Sequence, residues 1–279
     1  MNIFKDKRDI YNGDFIILVI EFNLLVPILG IIGFAIGFVG GMVGLLLGVL
    51  RFPLIIGVET SIGVAAGTNI GISTMAAIPA AVRHLRQNNI NTRIFFVMAI
   101  TGAVGALCGS LLTTYVPVAL LLSFIGIIVS YESVVLIRGK SKIRNESDTK
   151  DESMSKNKIL LIESIIGFAI GFLGGLVGLV LGSIRLPTMI SVLKMKPSVA
   201  IGTNLATSSV MGISGLIGHL INNEVDFLIL IVMGFAAMIG GYIGASFTHR
   251  FSERNLKRII GIVLIVVAIT MFIRVATII

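Results

Sequence analysis

Charge is scarce in this chain. Only 13% of its 279 residues are Asp, Glu, Lys or Arg, where a soluble domain carries roughly 25%. So few charged side chains cannot coat a water-facing surface, which excludes a soluble globular class. Cysteine is scarcer still. Cys108 stands alone, so no internal disulfide forms and no CxxC or finger-type metal spacing exists. Set in a Gly/Ala-rich apolar run, it reads as a small packing residue. Tryptophan is absent, and there is no HExxH and no Walker loop. No cofactor and no metal are expected. The basic residues do not interleave with aromatics, so no nucleic-acid partner is expected either.

Apolar residues are abundant. They make up 56% of the chain, mean hydropathy is +1.03, and glycine occurs 32 times. The solvent for that much apolar surface is lipid, where backbone groups are satisfied inside helices. The net charge of +8 sits in a few short clusters, the pattern of topology signals. Lys5, Lys7 and Arg8 precede an apolar run without a small-residue cleavage site. That run reads as a retained membrane segment, not a signal peptide.

One stretch occurs twice. Residues 33–53 read GFAIGFVGGMVGLLLGVLRFP, and residues 167–187 read GFAIGFLGGLVGLVLGSIRLP, identical at fifteen of twenty-one positions. This is an internal repeat. Membrane helices carry such glycines where backbones pack closely or where the helix breaks. Each copy reads as a broken or tightly packed helix pair facing its counterpart across a pseudo-twofold axis. The register continues downstream. Gly67-Thr68-Asn69 matches Gly202-Thr203-Asn204, Ser73-Thr74 matches Ser208-Ser209, His84-Leu85 matches His219-Leu220, and Gly105 and Gly109 match Gly240 and Gly244.

The fold class is all-α: a polytopic membrane protein of two homologous repeats, 1–137 and 159–279, joined by a polar cytoplasmic linker, 138–158. About 20 apolar residues cross a bilayer. Spans are predicted over 15–50, 56–82, 94–114 and 117–137, then 159–184, 198–218, 227–248 and 259–278. With an even number of crossings per half and the N-terminus inside, 14 of the 22 basic residues face inward. With an odd number and the N-terminus outside, 17 do, in 83–93, 138–158, 185–196 and 250–258. The positive-inside rule favours the second, inverted arrangement. Each repeat then has four or five segments, including a Gly-rich broken or re-entrant helix. Glycine faces at 102–109 and 240–244 suit a homodimer contact or internal packing.

The duplicated Gly-Thr-Asn carries the site hypothesis. Asn69 and Asn204 are read as beginning small-residue helices that converge near the midplane. There, helix N-termini favour an anion. Thr68, Thr203, Ser73, Thr74, Thr207, Ser208 and Ser209 could add polar contacts. The competing reading is interhelical hydrogen bonding. Arg51 and Arg185 either draw an anion or anchor helix ends at the headgroups. His84 and His219 sit at span ends, as caps, interfacial contacts or gating groups. Glu132 and Glu163 read as interfacial, and Glu21, deeper, is the proton-coupling candidate. Gly212-Ile213-Ser214-Gly215 near His219 has a protease look, but His219 lies off the serine's helical face. The chain is therefore read as no enzyme.

These residues together resemble the TauE/SafE permeases, often called sulfite exporters. The likeness rests on the blocks from Gly40-Gly41 to Pro53 and from Gly174-Gly175 to Pro187. It continues through Ala65 to Thr68 and Ala200 to Thr203, and through Arg83-His84-Leu85 before Asn88-Asn89-Ile90-Asn91. It implies a cell-membrane transporter of small sulfur-containing or carboxylic anions, such as sulfite, sulfonates or sulfoacetate, often outward. Gly40, Gly41, Gly174 and Gly175 would join the site. A passive anion channel and a non-transporting structural membrane protein are the alternatives.

Overall fold

A computed structural model of the chain describes residues 26–58, 61–113, 156–179 and 181–278, with single positions between 123 and 138. Glu21, Glu132 and most of the 138–158 linker lie outside them. The described residues form helices and turns, without strands. Among the described residues six helices are long and apolar enough to cross a membrane.

Helix α1 is Val26–Val43, α2 is Gly48–Val58, α3 is Ile62–Arg86 and α4 is Thr92–Leu111. After the linker come α5 (Lys156–Val177), α6 (Gly182–Ser191), α7 (Pro197–Ile221), α8 (Phe227–Phe247) and α9 (Glu253–Ile278). Local chemistry sets these limits. Gly44 and Gly178 have φ of 75° and 71°, a left-handed conformation that glycine adopts without penalty, and each ends a helix. Pro197 starts α7, where its missing N–H costs nothing. Asn88 and Asn223, with φ of 56° and 57°, turn the chain after α3 and α7, as asparagine can. Asn91 and Asp226 then cap α4 and α8, accepting from Ile94 N at 3.1 Å and Ile229 N at 2.8 Å. Asp226→Ala is expected to cost about 1 kcal/mol. A lowered melting temperature of the detergent-solubilised protein, with α-helical content unchanged, checks this.

The halves exchange helices. A Cβ on Gly33, Gly37 or Gly41 of α1 would strike the backbone of Met233, Ala237 or Gly241 of α8. A Cβ on Gly171 or Gly175 of α5 would strike Gly102 or Ala106 of α4, and Gly105 and Gly109 face Phe168 and Phe172. Gly240 and Gly244 face Phe34 and Phe38. Of the two readings of the glycine faces at 102–109 and 240–244, a homodimer contact or internal packing, these contacts are internal packing. In lipid, such backbone contact, not hydrophobicity, holds helices together.

At the centre, α3 lies against α7. Gly67 meets His219, Ile70 meets Gly215, Thr74 meets Gly212, and His84 meets Gly202. The residue numbers run in opposite directions, so these two matching helices are antiparallel. Large apolar side chains such as Ile100, Phe235 and Ile273 point outward, while Thr68, Asn69, Ser73, Thr203, Asn204 and Ser208 are buried. This polar-inside pattern suits lipid as the solvent.

The predicted limits shift in places. The 159–184 span ends at Val177 and gives way to a break and the short helix α6. The 15–50 run breaks at Gly44, before α2. Of 117–137 only single helical positions are described.

Candidate functional site

The candidate site is built from the two breaks, which begin at Gly44 and Gly178 and end where α2 and α6 start, at Gly48 and Gly182. After Gly44 the chain leaves the helix for three residues, then α2 begins at Gly48, whose Cβ position abuts Asn69. Likewise Gly182 abuts Asn204. Each asparagine also crosses to the other repeat. Asn69 Nδ2 donates to Gly178 O at 3.0 Å, and Asn204 Nδ2 donates to Gly44 O at 2.6 Å. Each break thus runs between the two asparagines, one in each direction. By the register of α3 against α7, Asn69 and Asn204 stand on opposite sides of the pair's middle, roughly 20 Å apart along the axis at ~1.5 Å per residue. Four residues reach at most about 14 Å, and the side chains close the rest.

Neither asparagine begins a helix, as the sequence suggested. Both lie two turns inside one, because Ser61 and Pro197 set the starts earlier. The free N–H groups expected there are therefore bound in helix. Positive charge comes instead from α2 and α6. Arg51 and Arg185 are buried, at 1% and 0% exposure, so neither anchors at headgroups. Arg51 Nε donates to Asn69 Oδ1 at 3.4 Å, and its Nη2 donates to Ser73 Oγ at 2.5 Å and Leu46 O at 3.4 Å. Arg185 Nε donates to Asn204 Oδ1 at 2.6 Å, and its Nη2 donates to Asn204 O at 3.0 Å and to Ser208 Oγ. The two Arg-Asn-Ser triads match in register. Among the described residues no carboxylate pairs with either arginine. A cation on a membrane helix costs about 2.5–3.5 kcal/mol or more at mid-bilayer.

The breaks are closed on each other. The cavity lined by Leu45 to Gly48, Leu179, Leu181 and Ser183 holds about 20 Å³, enough for a water. An oxyanion would need the breaks to part.

The remaining predicted residues are placed as follows. Thr68 Oγ1 accepts from Asp226 N at 2.8 Å, and Thr203 Oγ1 accepts from Asn91 N at 2.9 Å, so both fasten turns. Thr74 and Ser209 donate to carbonyls of their own helices, Ile70 O and Ala206 O. Ser209 faces the outer groove with Phe95 and Phe96, away from the breaks. Thr207 is buried, its hydroxyl without a partner among the described residues. Gly40 O and Gly174 O accept from Leu45 N and Leu179 N, both at 3.0 Å, and close the helix ends. Gly41 and Gly175 supply the close approaches to α8 and α4. His84 and His219 stand in the last turns of α3 and α7 but are wholly buried, not interfacial. Glu163 is likewise buried, 3.8 Å from the exposed Arg93. Sequence reasoning missed Glu224, 2.7 Å from His219 Nδ1. It also left Arg51 and Arg185 unconnected to Asn69, Ser73, Asn204 and Ser208, although the repeat register joins them.

Comparison with known proteins fits this architecture. The model of the family described as "Sulfite exporter TauE/SafE" matches residues 29–271. The probable membrane transporter protein YdhB of Bacillus subtilis is 28% identical, with 69% of this chain and 78% of YdhB covered. The probable membrane transporter protein MJ0441 of Methanocaldococcus jannaschii is 24% identical, with 90% of this chain and 97% of MJ0441 covered. A probable membrane transporter protein of Xylella fastidiosa is 24% identical, with 86% and 90% covered. No solved structure matches the chain. A family match over most of the chain, on six apolar helices with a polar interior, shows that this multi-pass membrane protein belongs to the TauE/SafE family of membrane transporters.

Proposed function

We propose that the chain is a secondary transporter that exports small sulfur-containing or carboxylic anions, such as sulfite, sulfonates or sulfoacetate, across the cell membrane. The two Arg-Asn-Ser triads bind the anion alternately as the breaks part toward one face and then the other. One observation carries this reading. Two arginines are wholly buried in a membrane protein with no carboxylate beside them among the described residues. Such a charge is retained where a ligand of opposite sign compensates it.

The antiparallel matching helices α3 and α7 support an inverted-repeat arrangement of 1–137 and 159–279. The α3–α4 turn, flanked by Arg83, Arg86 and Arg93, then faces the cytoplasm. The α7–α8 turn, with Glu224 and Asp226 and no basic residue, faces outward. An inside-negative potential drives anions outward by ~2.3 kcal/mol per charge per 100 mV.

The test is a thermal-shift screen with sulfite, sulfate, thiosulfate, sulfoacetate and simple carboxylates on the wild type, Asn69→Ala and Asn204→Ala. At least one anion is expected to stabilise the wild type. Either substitution removes the acceptor that aims an arginine, and is expected to weaken binding about tenfold, or ~1.4 kcal/mol. An anion that stabilises both variants as it does the wild type removes the asparagines from the site.

A further inference from the structure

The turns closing α3–α4 and α7–α8 are one turn built twice, with two ionisable exchanges: Asp226 stands for Asn91 and keeps its capping role, and Glu224 stands for Asn89. Asn89 N donates to His84 O at 3.0 Å, and Glu224 N donates to His219 O at 2.8 Å. The Asn89 and Glu224 carbonyls lean on Gly202 and Gly67 in the same way. The side chains differ. The Glu224 carboxylate lies 2.7 Å from His219 Nδ1, with both residues buried. Asn89, in the matching place, turns to Gln87 instead. The His84 ring lies beside the Gly41 backbone and the His219 ring beside the matching Gly175 backbone, and of the two only His219 has a carboxylate at its other nitrogen.

Few charges surround His219. On α8, Asp226 caps Ile229 N. On α3, Gly63 and Gly67 touch Glu224, and the charged groups of that helix, Arg83, His84 and Arg86, stand at its far end. On α4 the neighbour is Ser110, against Gly218 and Asn222, while Arg93 stands at the opposite end. On α5 the Gly175 backbone lies beside the ring, and Glu163 is at the far end with Arg93. Glu224 is thus the one carboxylate in contact with this histidine among the described residues.

We infer that the His219–Glu224 pair is the proton site that couples anion movement to a proton gradient, an inference that rests on the transporter reading above. With Nδ1–H donated to the carboxylate, a proton from the aqueous side adds to the lone pair of Nε2, and the pair passes from net −1 to net 0. Release reverses the step, and no other bond changes. The bound proton faces Gly175, three residues before Gly178, whose carbonyl holds Asn69 and through it Arg51. Only one of the two matching turns can take up a proton in this way. The two extremes of an alternating cycle therefore differ in proton affinity, and only such a difference lets a ligand bias an equilibrium.

The test uses the full chain with sulfoacetate as probe. In proteoliposomes, a one-unit pH gradient, worth about 1.4 kcal/mol per proton, is expected to change sulfoacetate accumulation by the wild type about tenfold. Glu224→Asn places the residue of the matching turn in this one, so the backbone is expected to fold unchanged. It should keep sulfoacetate exchange within about twofold and lose the response to the gradient. A Glu224→Asn protein that responds like the wild type overturns the inference. In parallel, nitrogen NMR of the three histidines follows His219 between about pH 5 and 8, independently of any flux. A His219 ring that never changes protonation in the wild type, or that titrates identically in Glu224→Asn, also overturns it. If sulfoacetate is neither bound nor moved by the wild type while His219 titrates and Glu224→Asn alters that titration, the proton site stands and the choice of anion fails.

Discussion

Arg185→Met is expected to reduce anion flux about a thousandfold while leaving the protein folded. A unit charge about 4 Å from an anion, at an effective dielectric near 20, is worth about 4 kcal/mol, which is close to three decades in affinity. Methionine fills similar volume and removes a buried cation that no carboxylate among the described residues balances. Replacing buried charge by well-packed apolar atoms is often neutral for stability. The orphaned Asn204 Oδ1 and Ser208 Oγ work against that gain, by about 1–3 kcal/mol. The melting temperature should therefore move little, in contrast to the flux. Arg185→Lys keeps the charge but cannot donate from a planar fork to Asn204 and Ser208 together, so an intermediate loss is expected. Flux through proteoliposomes and melting of the same preparations separate the cases. A variant that melts far below the wild type yet transports normally when cold would make the arginine a structural strut. Arg51→Met should behave alike, because its partners Asn69 and Ser73 repeat those of Arg185.

Gly171→Val is expected to prevent recovery of folded protein. A Cβ there would land on the Gly102 backbone, and neither chain segment has a side chain that could yield. Ordinary overpacking costs about 1–3 kcal/mol. Here the whole α4–α5 contact must open, and beyond the Arg93–Glu163 pair at 3.8 Å it is held by close backbone approach. Gly30→Val is the control, since nothing lies within 4 Å of its Cβ position. It should purify as a single species with wild-type melting. Monodisperse, wild-type-like Gly171→Val would mean that α4 and α5 do not touch through their glycines.

The duplication was legible because fifteen of twenty-one residues recur. The breaks were legible because the glycine blocks run into Arg-x-Pro. The helix starts were not. Gly67-Thr68-Asn69 resembles a start, but Pro197 at the head of α7 is the stronger signal, and α3 follows it in register. The position of the arginines was undecidable locally. Whether Arg51 meets headgroups or asparagine depends on α2 folding back against α3, a tertiary fact. Glu224 was passed over because Asn-Asn-Glu-Val-Asp reads as a solvated turn. Its burial comes from α3, more than 150 residues earlier in the chain.

The exchange of helices between the halves has a consequence for biogenesis. While the ribosome is still translating the second half, α4 lacks its partner α5, and α1 lacks α8. The glycine-lined grooves on both must stay sheathed by lipid or by the insertion machinery until those later segments arrive. Mature structure would then form only late in synthesis. Two fragments severed within 139–155 should reassemble when expressed together, whereas either one alone would be degraded.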